Sequence, residues 1–258
     1  MISIIRINQA LASIDGANDC VYLRSLIDVG TLVDSSEINS TDQADLLLRY
    51  QSDGIHLRWN KPNAKPLDYH LDYLKIVSQQ RSFPAPKQGA FNQALGKKTR
   101  HVIDATGGWG GDSLLMCAQG YQVTIFERQP LMACVLQEAF QRLANSEWAI
   151  KNDISVPDVV YADAISELDC AVFPADCVYL DPMFPSKKKK SAAANKYMQL
   201  LQWLLHDESD ATALASAAVR AAYPRVAVKR PDYASPLIVE PDAKFSSKLL
   251  HYDVYLNK

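Results

Sequence analysis

The stretch HVIDATGGWGGD, residues 101–112, places a strand-like run, a terminal carboxylate (Asp104) and four glycines (Gly107, Gly108, Gly110, Gly111) directly before a helix-like segment beginning near Asp112. Glycines take positive φ and, lacking a Cβ, let a cofactor approach the backbone, while the following helix start offers free N–H groups. On its own such a cluster also serves as a tight strand-to-helix turn that binds nothing. The end of a second run, QVTIFER, carries Glu127, 19 residues beyond Gly108, where a carboxylate can accept hydrogen bonds from both hydroxyls of a ribose. Together the two features predict a nucleotide-like cofactor. A nicotinamide dinucleotide fits poorly, because after Gly108 and Gly110 the third glycine position of G-x-G-x-x-G is Ser113. Nothing matches the G-x-x-x-x-G-K-[ST] loop of ATPases either. With no phosphate to seat, S-adenosylmethionine fits better.

The run CVYLDPMFPSKKKK ends an apolar strand in Asp181-Pro182-Met183-Phe184-Pro185, followed by Lys187, Lys188, Lys189 and Lys190. Rigid prolines hold an acceptor and an aromatic ring at a strand tip. The segment resembles the Asp/Asn-Pro-Pro-Tyr/Phe motif of methyltransferases that modify exocyclic amino groups of bases, with Met183 in place of the second proline. Such an amine is a poor nucleophile, since its lone pair is delocalised into the ring. Oxygen acceptors must bind its N–H groups and direct the lone pair at the methyl sulfonium, and Asp181 and the Pro182 carbonyl are the acceptors available. Phe184 would stack on the base, worth about 1 to 3 kcal/mol. A held near-attack geometry can supply roughly 7 to 11 kcal/mol, so neither a metal nor a covalent nucleophile is required. Beside a base pocket the four lysines would contact phosphate, although such a run also serves as a solvated loop. Lys229 and Arg230, at the end of RVAVKR, would extend that RNA-binding rim.

These residues need a scaffold that brings strand ends together. From residue 101 onward β-rich runs alternate with helix-like stretches, the sign of βαβ units and a parallel sheet. Pro130 suits the first position of a helix in which Leu131, Val135, Leu136 and Leu143 share a face. The expected fold is α/β: a Rossmann-like, doubly wound sheet of about seven strands over residues 81–258, preceded by a small α+β unit over residues 1–80. In that unit Leu46 to Trp59 reads as a hairpin turning at Ser52, Asp53 and Gly54. SFPAPKQG is the linker, and FNQALGKK a short helix stopped at Gly96. His56, His70, His101, His206 and His251 are scattered without metal-ligand spacing and read as structural or surface residues. Tyr197, Met198, Leu201, Trp203, Leu204 and Leu205 form an apolar helical set expected in the core.

The 258 residues, 48% hydrophobic and 22% charged, are those of a globular chain. A net charge of −2 excludes a protein coated with positive charge, so a nucleic acid would have to be bound by a local patch. No run approaches the roughly 20 apolar residues of a membrane span. Five cysteines without a C-x-x-C pair indicate neither a disulfide framework nor a zinc cluster, and a cytoplasmic home is expected.

In order and spacing, DATGGWGGD, FERQP, VYLDPMFP with its lysines, and RVAVKRPDYASPL resemble the RsmJ family of 16S ribosomal RNA guanine-N2 methyltransferases. The resemblance implies a class I methyltransferase fold that moves a methyl group from S-adenosylmethionine to a guanine of the small ribosomal subunit. It also implies that Gly111 and Asp112 open the first helix against the cofactor and that Glu127 and Arg128 flank its ribose. Asp163 and Ala164 would meet its adenine, and Asp181 would sit at the transfer point. At Asp163 the family commonly has small hydroxyl residues, and at SFPAPKQGAFNQALG a glycine-rich stretch. Two other readings stand beside this one: an amino-methyltransferase acting on DNA or protein, and a noncatalytic RNA-binding protein with a vestigial cofactor pocket.

Overall fold

The computed structural model describes residues 5–7, 32–34, 46–60, 64–79, 86–170, 173–183, 196–205, 210–221 and 223–257. The first sheet contains β1 (Ile5–Ile7), β2 (Leu32–Asp34), β3 (Leu46–Gln51), β4 (Gly54–Trp59) and β5 (Leu67–His70) in the order β2-β1-β3-β4-β5. β1 runs parallel to β2 and β3, whereas β3, β4 and β5 are antiparallel. The expected hairpin is present, with Gln51 opposite Gly54 across the turn at Ser52 and Asp53. Strand pairing also places His56 directly opposite His70. These two histidines are therefore not scattered in space: antiparallel register joins what the chain separates.

Two short helices lead into the second sheet. Asp72 caps α1 (Tyr73–Ser78) by accepting from the Lys75 N–H, and α2 (Gly89–Leu95) stops at Gly96, whose φ of 95° suits a residue without Cβ. The second sheet contains β6 (His101–Asp104), β7 (Gln122–Glu127), β8 (Asp158–Tyr161), β9 (Cys177–Leu180), β10 (Arg225–Pro231), β11 (Ala243–Ser246) and β12 (Leu250–Leu256). Their order is β11-β12-β10-β9-β6-β7-β8, with β12 antiparallel to both neighbours and the other pairs parallel. This is the anticipated sheet of seven strands among the described residues. Because β7 and β9 flank β6, the strand order reverses at the end of β6, where open α/β sheets bind ligands.

Helices cover both faces: α3 (Gly111–Ala118), α4 (Pro130–Ala144), α5 (Glu147–Lys151), α6 (Ala164–Cys170), α7 (Lys196–Leu205) and α8 (Ala211–Arg220). Strand alternation divides the core accordingly. Val102, Ile125, Tyr179 and Ala227 join the cluster with α3 and α4, while Ile103, Phe126, Val178 and Val228 join the one with α6 and α8. Pro130 opens α4 as expected, and Leu131, Val135, Leu136 and Leu143 are all buried. The first sheet shares this core, since Leu46, Leu48, Ile55 and Leu57 cluster with Leu136, Ala139 and Phe140.

Arg142 of α4 donates to the Leu71 carbonyl at 2.7 Å, and the Tyr73 ring stacks on Phe140 with 4.1 Å between centroids. The Tyr73 hydroxyl then donates to the Trp109 carbonyl in the glycine loop at 2.9 Å. The junction depends on Gly110, with φ +67°, because a Cβ there would collide with the Tyr73 hydroxyl and stand 3.0 Å from Phe140 Cζ. Gly110→Ala should cost roughly 2 to 5 kcal/mol from left-handed backbone and overpacking together, measured by denaturant unfolding. An unfolding midpoint within error of the parent would refute this packing role.

Among the described residues Cys117, Cys134, Cys170 and Cys177 are free thiols. No described helix is long and apolar enough to cross a membrane.

Candidate active site

A cleft of about 470 Å³ opens over the ends of β6, β7 and β9, at the reversal of strand order. Asp104, 1% exposed, organises its floor. Its Oδ1 accepts from the Thr106 N–H at 3.0 Å and its Oδ2 from the Ser113 hydroxyl at 2.5 Å. The Thr106 hydroxyl donates to Asp104 at 3.3 Å and accepts from the Asp181 N–H at 2.6 Å. One buried carboxylate thus ties the glycine loop, the start of α3 and the Asp-Pro segment together.

The four glycines divide by role. Gly108 (φ +53°) and Gly111 line the cleft, and a Cβ on Gly111 would meet nothing within 4 Å. Gly107 also lines it, but a Cβ there would lie 2.5 Å from Ile125 Cγ2, so close strand packing requires that glycine. Gly110, expected against the cofactor, is not among the lining residues and instead faces Tyr73 and Phe140.

Beyond the loop, Glu127 lies at the end of β7, 5% exposed, with Oε1 accepting from the Gln129 N–H at 2.8 Å. Arg128 forms an ion pair with Asp210 beside α8. Asp163 accepts from the Ile165 N–H at 3.2 Å at the start of α6, and Ala164 follows it along the cleft wall. Across the cleft, Lys229 of β10 reaches two carboxylates, with Nζ 2.8 Å from Asp112 Oδ2 and 2.8 Å from Asp181 Oδ2. The Tyr179 hydroxyl donates to the same Asp112 oxygen at 2.5 Å.

The model of a family of putative SAM-dependent methyltransferases matches residues 31–257. A ribosomal RNA small subunit methyltransferase J from Aeromonas salmonicida is 32% identical over 232 residues, 86% of this chain and 90% of that protein. The chain belongs to this methyltransferase family. A relative of the same name from Colwellia psychrerythraea is 36% identical over 195 residues, 73% of this chain and 70% of that one. The crystal structure of a SAM-dependent methyltransferase from Neisseria gonorrhoeae has the same fold, with a TM-score of 0.68 at 23% identity, covering 99% of this chain and 96% of that one. The RsmJ resemblance and the class I fold are thereby shown, and S-adenosylmethionine is the methyltransferase's cofactor. The cleft fits it: Gly107, Gly108 and Gly111 line it with exposed backbone, and two separate carboxylates, Glu127 and Asp163, stand at the ends of successive strands along it.

Two expectations about the methyltransferase's basic residues need correction. Lys229 does not stand on an outer RNA-binding rim, because alternation along β10 turns it into the cleft between two carboxylates. Arg230 points to the opposite face, is 7% exposed and donates to the Ser235 carbonyl, so it offers no free surface to a phosphate. Phe184 and Lys187, Lys188, Lys189 and Lys190 lie outside the described residues. The apolar set on α7 also divides: Leu201 and Leu204 are buried, whereas Tyr197 is 41% exposed, and Met198, Leu201 and Leu205 line the cleft. Thr106 and Tyr179 were not singled out in the sequence. The alternation of Val178 and Leu180 with Tyr179 could have assigned Tyr179 to the same face as α3, but not its partner.

Burial raises the pKa of Asp104 to about 6, with the Ser113 and Thr106 hydrogen bonds opposing the shift and Asp112 and Asp181 adding to it. A carboxyl that holds its proton more tightly folded than unfolded makes stability fall as pH rises between about 4 and 6. Above that window the ionised group carries the full cost, about 3 kcal/mol. Asp104→Asn keeps an acceptor for Thr106 and can donate to the Ser113 oxygen. Its stability relative to the parent should therefore rise by about 3 kcal/mol between pH 4 and 7 in urea titrations. A pH-independent difference would show that Asp104 is not the titrating group.

For Asp181, burial also raises the pKa, with the charge and hydrogen bond of Lys229 opposing it. Burial acts against the charge on Lys229, yet Asp181 and Asp112 outweigh it and its pKa is raised. The lysine is therefore a permanent cation wedged between them.

Proposed function

We propose that this methyltransferase transfers a methyl group from S-adenosylmethionine to the exocyclic N2 of a guanine in small-subunit ribosomal RNA, acting in the cytoplasm. The observation that carries the reading is the Asp181 carboxylate at the cleft. Its Oδ2 is held by Lys229, and Oδ1 accepts no hydrogen bond among the described residues. When bound, S-adenosylmethionine supplies an electrophilic methyl group on a sulfonium. Gly108 and Gly111 would give it access to the backbone, Glu127 would accept from the ribose hydroxyls with Arg128 beside it, and Asp163 with Ala164 would border the adenine.

At the acceptor end, Asp181 Oδ1 and the Pro182 carbonyl receive the N–H groups of the amine and turn its lone pair toward the methyl group. Lys229 opposes the rise in pKa that burial imposes on Asp181 and orients it, so that the ionised carboxylate can take the proton that the amine sheds on methylation. By the motif, Phe184 would stack on the base and Lys187 to Lys190 would contact phosphate. The names of the relatives support the ribosomal substrate, and the motif supports the amino group. The division into an N-terminal unit, 1–80, and a catalytic unit, 81–258, belongs to the same proposal and is supported by the two separate sheets.

The test is methyl transfer from labelled S-adenosylmethionine to small ribosomal subunits lacking their native guanine-N2 methylation, followed by nucleoside mass spectrometry. N2-methylguanosine is expected. Label in another nucleoside would displace the N2 assignment, and label only in added DNA or protein would move the substrate to another polymer. Cofactor binding without transfer to any of them would favour a binding protein.

A further inference from the structure

On the outer edge of the first sheet, away from the methyl-transfer cleft, three side chains converge in a way the methyltransferase reaction does not use. His56 on β4 and His70 on β5 are cross-strand partners whose rings stack with centroids 4.2 Å apart and planes 16° from parallel. Asp53, in the turn between β3 and β4, reaches both. His56 Nε2 lies 2.9 Å from Asp53 Oδ1, and His70 Nε2 lies 2.9 Å from the Asp53 backbone carbonyl. One ligand atom from each residue falls within a sphere of contacts no longer than 4.8 Å.

The second of these bonds assigns the His70 tautomer. A carbonyl only accepts, so Nε2 carries the proton, and the neutral ring has its lone pair on Nδ1. That Nδ1 faces Asp53 Oδ2 at 4.0 Å. With the proton on Nε2, these are two acceptors with no donor between them, and they cannot hydrogen-bond to each other. They are near the ~3.4 Å that separates two ligands each about 2.1 Å from a tetrahedral ion. The Nε2–H to carbonyl bond is also the outer-shell contact that orients a metal-binding imidazole.

We infer that Asp53, His56 and His70 form a binding site for a divalent transition-metal ion of the zinc class. Binding would displace the proton that His56 Nε2 now shares with Asp53 Oδ1, and the resulting two imidazole nitrogens and one carboxylate oxygen suit Zn²⁺ and suit Ca²⁺ or Mg²⁺ poorly, because those ions prefer oxygen ligands. Asp53 is exposed and both histidines are partly so, which leaves the fourth position to water. The ion would staple the β3–β4 turn to β5, and thereby the edge of the sheet that packs on α4.

The site is tested by Zn²⁺ titration of the chelator-treated full chain against a colorimetric competitor, with thermal unfolding measured in parallel. One equivalent is expected to bind, at least 10-fold more weakly in His70→Ala and without detectable competition in the His56→Ala/His70→Ala double variant. Zn²⁺ should raise the unfolding midpoint of the native chain and leave that of the double variant unchanged. Asp53→Asn, which keeps the size of the side chain but removes its charge, guards against a folding defect and should also lose at least 10-fold. Failure of the native chain to compete for Zn²⁺ overturns the site. Equal affinity in the native chain and the variants overturns it too, by placing the ion on other ligands.

Discussion

Asp181→Ala is expected to lower methyl transfer by at least about 10³-fold, about 4 kcal/mol of transition-state free energy, while S-adenosylmethionine still binds within several-fold of the parent affinity. The backbone of Asp181 is held independently of its side chain, because its N–H donates to the Thr106 hydroxyl, which Asp104 anchors in turn. The cofactor trough therefore keeps its shape. What disappears is the acceptor that orients the amine and takes its proton, and both effects are concentrated in the transition state. Single-turnover kinetics with saturating cofactor, beside calorimetric titration of S-adenosylmethionine, separates the two. Near-normal turnover would remove Asp181 from the mechanism, and equal losses in binding and turnover would make it a cofactor ligand.

Lys229→Met is expected to reduce turnover by about 10² to 10³-fold, through Asp181 rather than through RNA affinity. Removing one partner of a partly buried ion pair leaves the other charge less well compensated. In the native site Lys229 opposes the upward push that burial exerts on Asp181. Without that cation the Asp181 pKa rises further, and the carboxylate required to accept a proton is ionised only at higher pH. The acid limb of the single-turnover profile should therefore move to higher pH, and raising the pH should recover part of the lost rate. Lys229→Arg, which preserves the charge, should restore the position of the limb more fully than the rate. An unchanged profile with a raised KM for RNA would return Lys229 to phosphate binding.

The parts of the site carried by local chemistry were legible in the chain. Alternating β and helical runs anticipated the parallel sheet, Pro130 and the spacing of Leu131, Val135 and Leu136 identified the helix after β7, and Gly96 marked the end of α2. The glycine loop and the acidic end of β7 pointed to a nucleoside-bearing cofactor because both use fixed offsets within one βαβ unit. Individual glycines were harder to assign. Gly110 and Gly111 are adjacent, yet one packs under Tyr73 and the other lines the cleft, since a loop residue's facing depends on what the distant first sheet presses against it.

By itself the sequence determined the fold class, the cofactor and the Asp-Pro motif, because periodicity, turn residues and short motifs are interactions between near neighbours along the chain. Only the tertiary structure decided which charges meet. Lys229 faces two carboxylates and Arg230 the opposite side of the sheet because consecutive strand residues point to opposite faces, and the contents of those faces come from β9, α3 and β12. His56 and His70 meet for a similar reason: strand register, set by burial of Leu48, Ile55 and Leu57 against α4, brings together side chains that no sequence spacing relates.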